Sequence, residues 1–381
     1  MTMTSRERLL IALNGGIPDR LPVTTHHLMP YFLDKSMGGI SERAFFDHFG
    51  LDGITWFFGT TPNPSDESYR HPDGSIQTTK WKIDSQVLPN KKYTTCRYTI
   101  TTPRGSLTMV LESDEYTTWI AEHLIKHKED IELLGTYMPS LACDQDGLNQ
   151  AAASCGDEGI VRGAIPGFTI YGQPGCWQDA ACLVGIEELI LSTYDDPTWV
   201  HTLLEILQDR KKHYIKSLTG APFDLIELGG GDASTTVISP RVFETFVAPY
   251  DSELIYLAHE HDQKIVYHTC GGMMPILEAI ADMNPDAMET FTPPAMGGDA
   301  DLALAKARIG GRVCLIGGFD QFHHLVGCSP KETRQAVRDC FQAAGQGGGY
   351  ILCPSDHFFN AELDLIHAFA DEARQCRYRN D

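Results

Sequence analysis

Short runs of apolar and β-branched residues recur along the chain, centred on Val23, Ile54, Val161, Ile226, Val266, Ala287, Cys314 and Ile351. Runs this short, bounded by glycine, proline and acidic residues, read as buried strands. The run at Ala287 is the weakest, being brief and poor in β-branched residues. Between the later runs, apolar positions three and four apart predict helices over 240–261, 274–283, 301–309 and 330–344. A further amphipathic helix over 5–14, capped by Thr4-Ser5 and carrying Leu9, Leu10 and Leu13, precedes the first strand at 21–25. Strand and helix in alternation imply parallel βα units, and eight of them imply an α/β fold, a closed TIM-type (β/α)8 barrel.

One stretch breaks the alternation. From Gly74 to Glu112 β-branched, aromatic and polar residues alternate, with turn signals at Pro89-Asn90 and Pro103-Arg104-Gly105. This predicts an antiparallel β insertion between barrel strands 2 and 3, followed by helices over 119–134 and 144–155. No Pro/Ser-rich linker isolates the inserted region 74–155, so the chain is read as a single domain over 1–381.

Composition narrows the function. A formal net charge of -21 repels nucleic acid and anionic membrane surfaces, so neither is expected as a partner. No run approaches the roughly 18–20 apolar residues of a membrane span. The polar N-terminal stretch has no apolar signal core, so a cytoplasmic location is expected. Eleven cysteines, an odd number without framework spacing, read as reduced thiols, some of them available as metal ligands.

Barrel active sites form at the C-terminal ends of the strands. Here those ends carry His26-His27, Phe57-Phe58, Glu227, His268 to Cys270, Glu289, Gly317 to Asp320 and Cys353. So many polar groups at one rim are costly to bury without partners, which favours a site over packing. In an extended strand end, residues two apart point the same way, so His268 and Cys270 can converge on one ion. Cys353, at the end of the last strand, is the candidate third ligand. An imidazole and two thiolates suit zinc and leave a fourth position open, the pattern of catalytic sites. A His-x-Cys triplet alone is a weak signal, because cysteine is often a small buried hydrophobe.

Glu289 is the candidate fourth, exchangeable ligand, or else a rim carboxylate with a solvated or capping role. Glu227 and Asp232 flank a glycine run and are candidate catalytic carboxylates, although a tight turn also explains that run. His26, His27, Phe57, Asp320 and His357 are candidate substrate-binding residues.

With these residues in view, the chain resembles the uroporphyrinogen decarboxylase superfamily. The resemblance is carried by the segments at 5–10, 18–23, 239–250, His268-Thr269-Cys270-Gly271-Gly272, Gly317-Gly318-Phe319-Asp320 and 349–354. It implies a (β/α)8 barrel. True decarboxylases of this superfamily carry an Arg-Gln-Ala-Gly-Arg stretch after the first strand; here residues 24–30 contain no arginine. The resemblance is therefore to the zinc- and corrinoid-linked methyltransferase branch, which includes methylcobalamin:coenzyme M methyltransferases. It implies a zinc ligand set of His268, Cys270, Cys353 and Glu289. No Asp-x-His-x-x-Gly corrinoid signature occurs in the chain, so cobalamin is expected on a separate corrinoid protein. The other partner is a small-molecule methyl donor or acceptor, with a methoxylated aromatic donor preferred on the strength of rim phenylalanines. A methylcobalamin:thiol methyltransferase and a decarboxylase-type lyase are the alternatives, and a homodimer is compatible with the sequence.

Overall fold

The computed structural model describes residues 3–378; positions 1–2 and 379–381 of the expected single unit lie outside them. Seven strands form one parallel sheet in chain order: Gly53–Trp56, Gly159–Ala164, Leu225–Gly229, Ile265–His268, Ala287–Thr290, Cys314–Gly317 and Tyr350–Ile351. The strand expected at 21–25 is reduced to a parallel bridge between Val23 and Leu352. Pro22 contributes only its carbonyl, which accepts from the Leu352 N–H at 2.9 Å, because proline has no N–H to donate. On the other side the Asp52 N–H donates to the Val23 carbonyl at 2.7 Å. The 22–24 segment thus joins the two edges of the sheet, and the whole is an α/β fold with a TIM-like curved sheet.

This junction is held by charge. Asp52 is fully buried and accepts from Arg8 at 2.6 Å, Arg20 at 2.9 Å and the Val23 N–H at 2.9 Å. Burying that carboxylate is tolerable only because each oxygen has donors. The first helix, Ser5–Leu13, supplies Arg8 while its Leu9, Ala12 and Leu13 enter the core.

Between the first two strands of the sheet, the chain forms a four-stranded antiparallel sheet of Lys82–Leu88, Thr94–Thr102, Gly105–Ser113 and Thr118–Glu122. The helix predicted over 119–134 is corrected here. Thr118–Glu122 is the last strand of this sheet, and the helix begins only at Asp130 and ends at Tyr137. Thr118, Trp119 and Ile120 favour a pleated surface, and their pairing with Gly105–Ser113 outweighs the helical spacing of the apolar positions. Helices at Gln145–Cys155, Leu302–Ile309 and Pro330–Cys340 occupy predicted stretches, each started by a capping side chain from Asp144, Asp301 or Ser329. Buried apolar side chains from Leu9 to Cys376 form one connected core.

Candidate active site

In-register pairing of parallel strands brings the polar strand ends together. Trp56 pairs with Arg162, Ala164 with Glu227, Gly229 with His268, and His268 with Glu289. His26 follows the Val23 bridge and completes the ring. The ligand-capable atoms of His26, Glu227, His268 and Glu289 all lie within 4.8 Å of one another, so this group could hold a metal ion.

His268 is the hub. Its Nδ1 lies 2.9 Å from Glu289 Oε1 and 4.0 Å from Glu227 Oε1, and its Nε2 lies 3.0 Å from Cys270 Sγ. The His26 ring stacks on it at 5.2 Å. Gly271 then turns the chain away at φ +92°, a left-handed conformation that glycine adopts without strain; a Cβ there would meet Thr236 Oγ1 at 2.7 Å. Cys270 therefore joins the cluster through His268. Cys353 is buried beside it, and burial, followed by the negative charge of Glu289, pushes its thiol well up. Neither cysteine belongs to the tight His/Glu group.

The residue that organises the cluster is one the sequence reading passed over. Arg162 is 2 % exposed, and its Nη2 donates to Glu227 at 2.9 Å and to Glu289. Its guanidinium lies 4.5 Å from the Trp56 ring centroid. Burial works against the charge of Glu289, but Arg162, His26 and His268 together outweigh it and hold that carboxyl well below its usual range. At Glu227 burial wins, and its pKa rises. Glu289 Oε2 and Arg162 Nε are buried without hydrogen-bond partners. A lone arginine inside the run Gly159–Ala164 was the available signal, since a charge in a buried strand demands a counter-charge.

The other candidates fall in different places. His26 is buried, and its pKa lies well below the ordinary value because of desolvation. His27 stacks on Trp56 at 4.0 Å, and burial pushes its pKa down to about 3. Phe57 packs towards Phe223, away from the cluster, while its neighbours Trp56 and Phe58 stack at 5.3 Å on the site side. The period of two along an extended chain makes this choice. Asp232 is clasped by Gln178 through contacts of 2.6 and 2.7 Å and stands outside the cluster. Asp320 caps the helix Gln321–His324. His357 pairs with Asp356 at 2.9 Å on the rim.

A cavity of about 700 Å³ opens from this cluster towards the inserted sheet. Glu227 and His27 line it beside the cluster, the exposed ring of Phe58 borders it, and Arg70, Ser85 and Tyr98 contribute from the insertion. One wall is the loop 166–174. The Lys211 ammonium, itself buried, donates to the Pro166 and Gln173 carbonyls at 3.2 and 2.9 Å and to Asp179 at 2.9 Å. Asp179 in turn accepts from the Phe168 and Gln173 N–H groups at 2.9 and 3.2 Å.

Residues 157–376 match the model of the family described as uroporphyrinogen decarboxylase (URO-D). The chain belongs to the uroporphyrinogen decarboxylase family. The matched stretch contains Arg162, Glu227, His268, Cys270, Glu289 and Cys353; His26 and Trp56 precede it. Among relatives, a uroporphyrinogen decarboxylase of Idiomarina loihiensis is 27 % identical over 221 residues, covering 55 % of this chain and 58 % of that protein. Another, of Hydrogenovibrio crunogenus, is 27 % identical over 256 residues, covering 65 % and 67 %. The chain thus spans little more than half the length of the first of these relatives. A methyltransferase from Methanosarcina mazei superposes over 98 % of this chain and 99 % of its own, with a TM-score of 0.63 at 15 % identity. A B12-independent methionine synthase from Shewanella sp. W3-18-1 does so over 93 % and 98 %, at 0.50 and 9 %. At these identities the likeness is one of fold.

Proposed function

We propose that this family member is a zinc-dependent methyltransferase that moves a methyl group between a small substrate and the cobalt of a corrinoid carried by a separate protein. The preferred donor is a methoxylated aromatic. The observation that carries the reading is His268 standing between Cys270 and Glu289, 4.0 Å from Glu227, which lines an aromatic-walled cavity. The superposed Methanosarcina mazei methyltransferase supports it.

The donor set suits zinc. His268, Cys270, Cys353 and Glu289 offer an imidazole, two thiols and a carboxylate, and Glu289 Oε2 is a buried acceptor without a partner. These four would hold the ion, and when bound it would act as a Lewis acid towards the substrate heteroatom. Arg162, with His26 and His268, keeps Glu289 ionised. Glu227, at the cavity floor, can hold a proton for an oxygen placed beside it. His27 and Phe58 offer flat surfaces to an aromatic ring.

The test is metal analysis of the purified protein together with methyl transfer to free cob(I)alamin, followed by the change to the methylcobalamin spectrum. Stoichiometric zinc and methylation from methoxybenzenes are expected, with both lost in Cys270→Ala and Cys353→Ala. Full activity in metal-free protein contradicts the mechanism. The names of the curated relatives favour a second reading, a decarboxylase-type lyase; turnover of a porphyrinogen without metal would establish it. Methyl transfer only to an added thiol would move the assignment to the methylcobalamin:thiol reaction.

A further inference from the structure

The His268 ring separates two sets of donors. Its Nε2 faces Cys270 Sγ at 3.0 Å, while its Nδ1 faces Glu289 Oε1 at 2.9 Å and Glu227 Oε1 at 4.0 Å. On the carboxylate side His26 adds a second imidazole, its Nδ1 3.9 Å from Glu289 Oε2. Two imidazoles and two carboxylates within 4.8 Å of one another make a donor set of their own, without sulfur. Such a set suits manganese or iron as readily as zinc.

Arg162 already stands on that side. Its Nη2 donates to Glu227 Oε2 at 2.9 Å and to Glu289 Oε1, so one oxygen of each carboxylate is committed. The guanidinium is held in place, being 2 % exposed with the Trp56 ring centroid 4.5 Å from it. Nor can it make room by losing a proton, because arginine stays protonated in proteins. A dication bound by the same carboxylates would face this fixed positive charge at close range. We propose that Arg162 decides where the metal sits and which metal is held. It fills the carboxylate side as a permanent cation and confines the ion to the thiol side, where Cys270 meets His268 Nε2. Of Glu289 only Oε2, a buried acceptor without a partner, is left for that ion. Confinement beside thiols selects a thiophilic ion such as zinc over manganese or iron. The proposal rests on the zinc reading for the wild-type ion, but the blocking by Arg162 is measurable in variants that lack the thiols.

The experiment is dialysis of the metal-depleted full chain against cobalt(II), counting bound ion and recording the near-ultraviolet charge-transfer band that thiolate gives cobalt(II). The wild type should hold one ion and show the band. Cys270→Ala with Cys353→Ala should hold none, although every member of the His/Glu group remains. Adding Arg162→Gln to that pair should restore one ion without the band, and cobalt(II) should raise the Tm of this triple variant alone. A thiol-free variant that keeps its ion with Arg162 intact overturns the assignment, whatever the triple variant does. So does a triple variant that is folded by circular dichroism yet binds no cobalt(II). Metal bound by the triple variant but not by the wild type would remove the zinc reading and leave the role of Arg162 standing. A wild type with ion and band, beside a thiol-free variant that keeps its ion, would do the reverse.

Discussion

Two buried charges show how far single residues set the behaviour of this protein. Arg162 offsets two carboxylates at once, and among the described residues no other lysine or arginine pairs with Glu227 or Glu289. Arg162→Met should therefore cost about 3–5 kcal/mol, the usual penalty for removing one partner of a buried pair, measured by chemical denaturation. Adding Glu289→Gln should recover part of that loss; a single variant as stable as the wild type would show that the pair carries no such weight. Asp251 makes a pH-dependent case. It is fully buried, with the Tyr267 hydroxyl donating to it at 3.0 Å and the Cys176 N–H at 3.3 Å, and burial pushes its pKa up to about 6 despite those donors. The native chain therefore keeps a proton that the unfolded chain releases near pH 4. Its contribution to stability is complete below pH 4 and is lost as pH rises towards 6, by about 2–3 kcal/mol. Asp251→Asn should be insensitive in that window, so its stability relative to the wild type should rise by that amount between pH 4 and pH 7.

At the scale of elements, the cavity depends on a loop with little regular structure. Residues 166–174 are pinned by Lys211 from the helix Pro197–Lys216 and by Asp179 from the helix Cys176–Val184, whose side chains are 2 % and 3 % exposed. Lys211→Met would leave Asp179 buried without its counter-charge and release two loop carbonyls. A loss of about 3–5 kcal/mol is expected, with a rise in KM larger than the fall in kcat, because the loop lines the cavity and does not touch the His268 cluster. The double variant with Asp179→Asn should regain stability but not KM. Recovery of both would mean that the ion pair stabilises the fold without shaping the pocket. The strand at Thr118–Glu122 teaches the complementary lesson. Its helical spacing was real, but a neighbouring strand with unpaired N–H and C=O groups decided its structure.

For the molecule as a whole, among the described residues no helix is long and apolar enough to cross a membrane. The parallel order of strands was legible because each buried strand is a short apolar run ended by glycine or a polar residue, a local signal. So was the convergence of His268, Cys270 and Glu289, since the period of two along a strand and the register between neighbours are both short-range rules. What the chain alone determined was therefore the strand–helix alternation and the chemistry of the rim, including His268 between a thiol and a carboxylate. Other features belonged to the tertiary structure. Only there does Arg162 meet Glu227 and Glu289, residues 65 and 127 positions away; only there does Trp56, not Phe57, face the site. The physical reason is the same in each case. Burial of a charge is settled by the partner it finds across the barrel, and no local pattern of residues records where that partner will be.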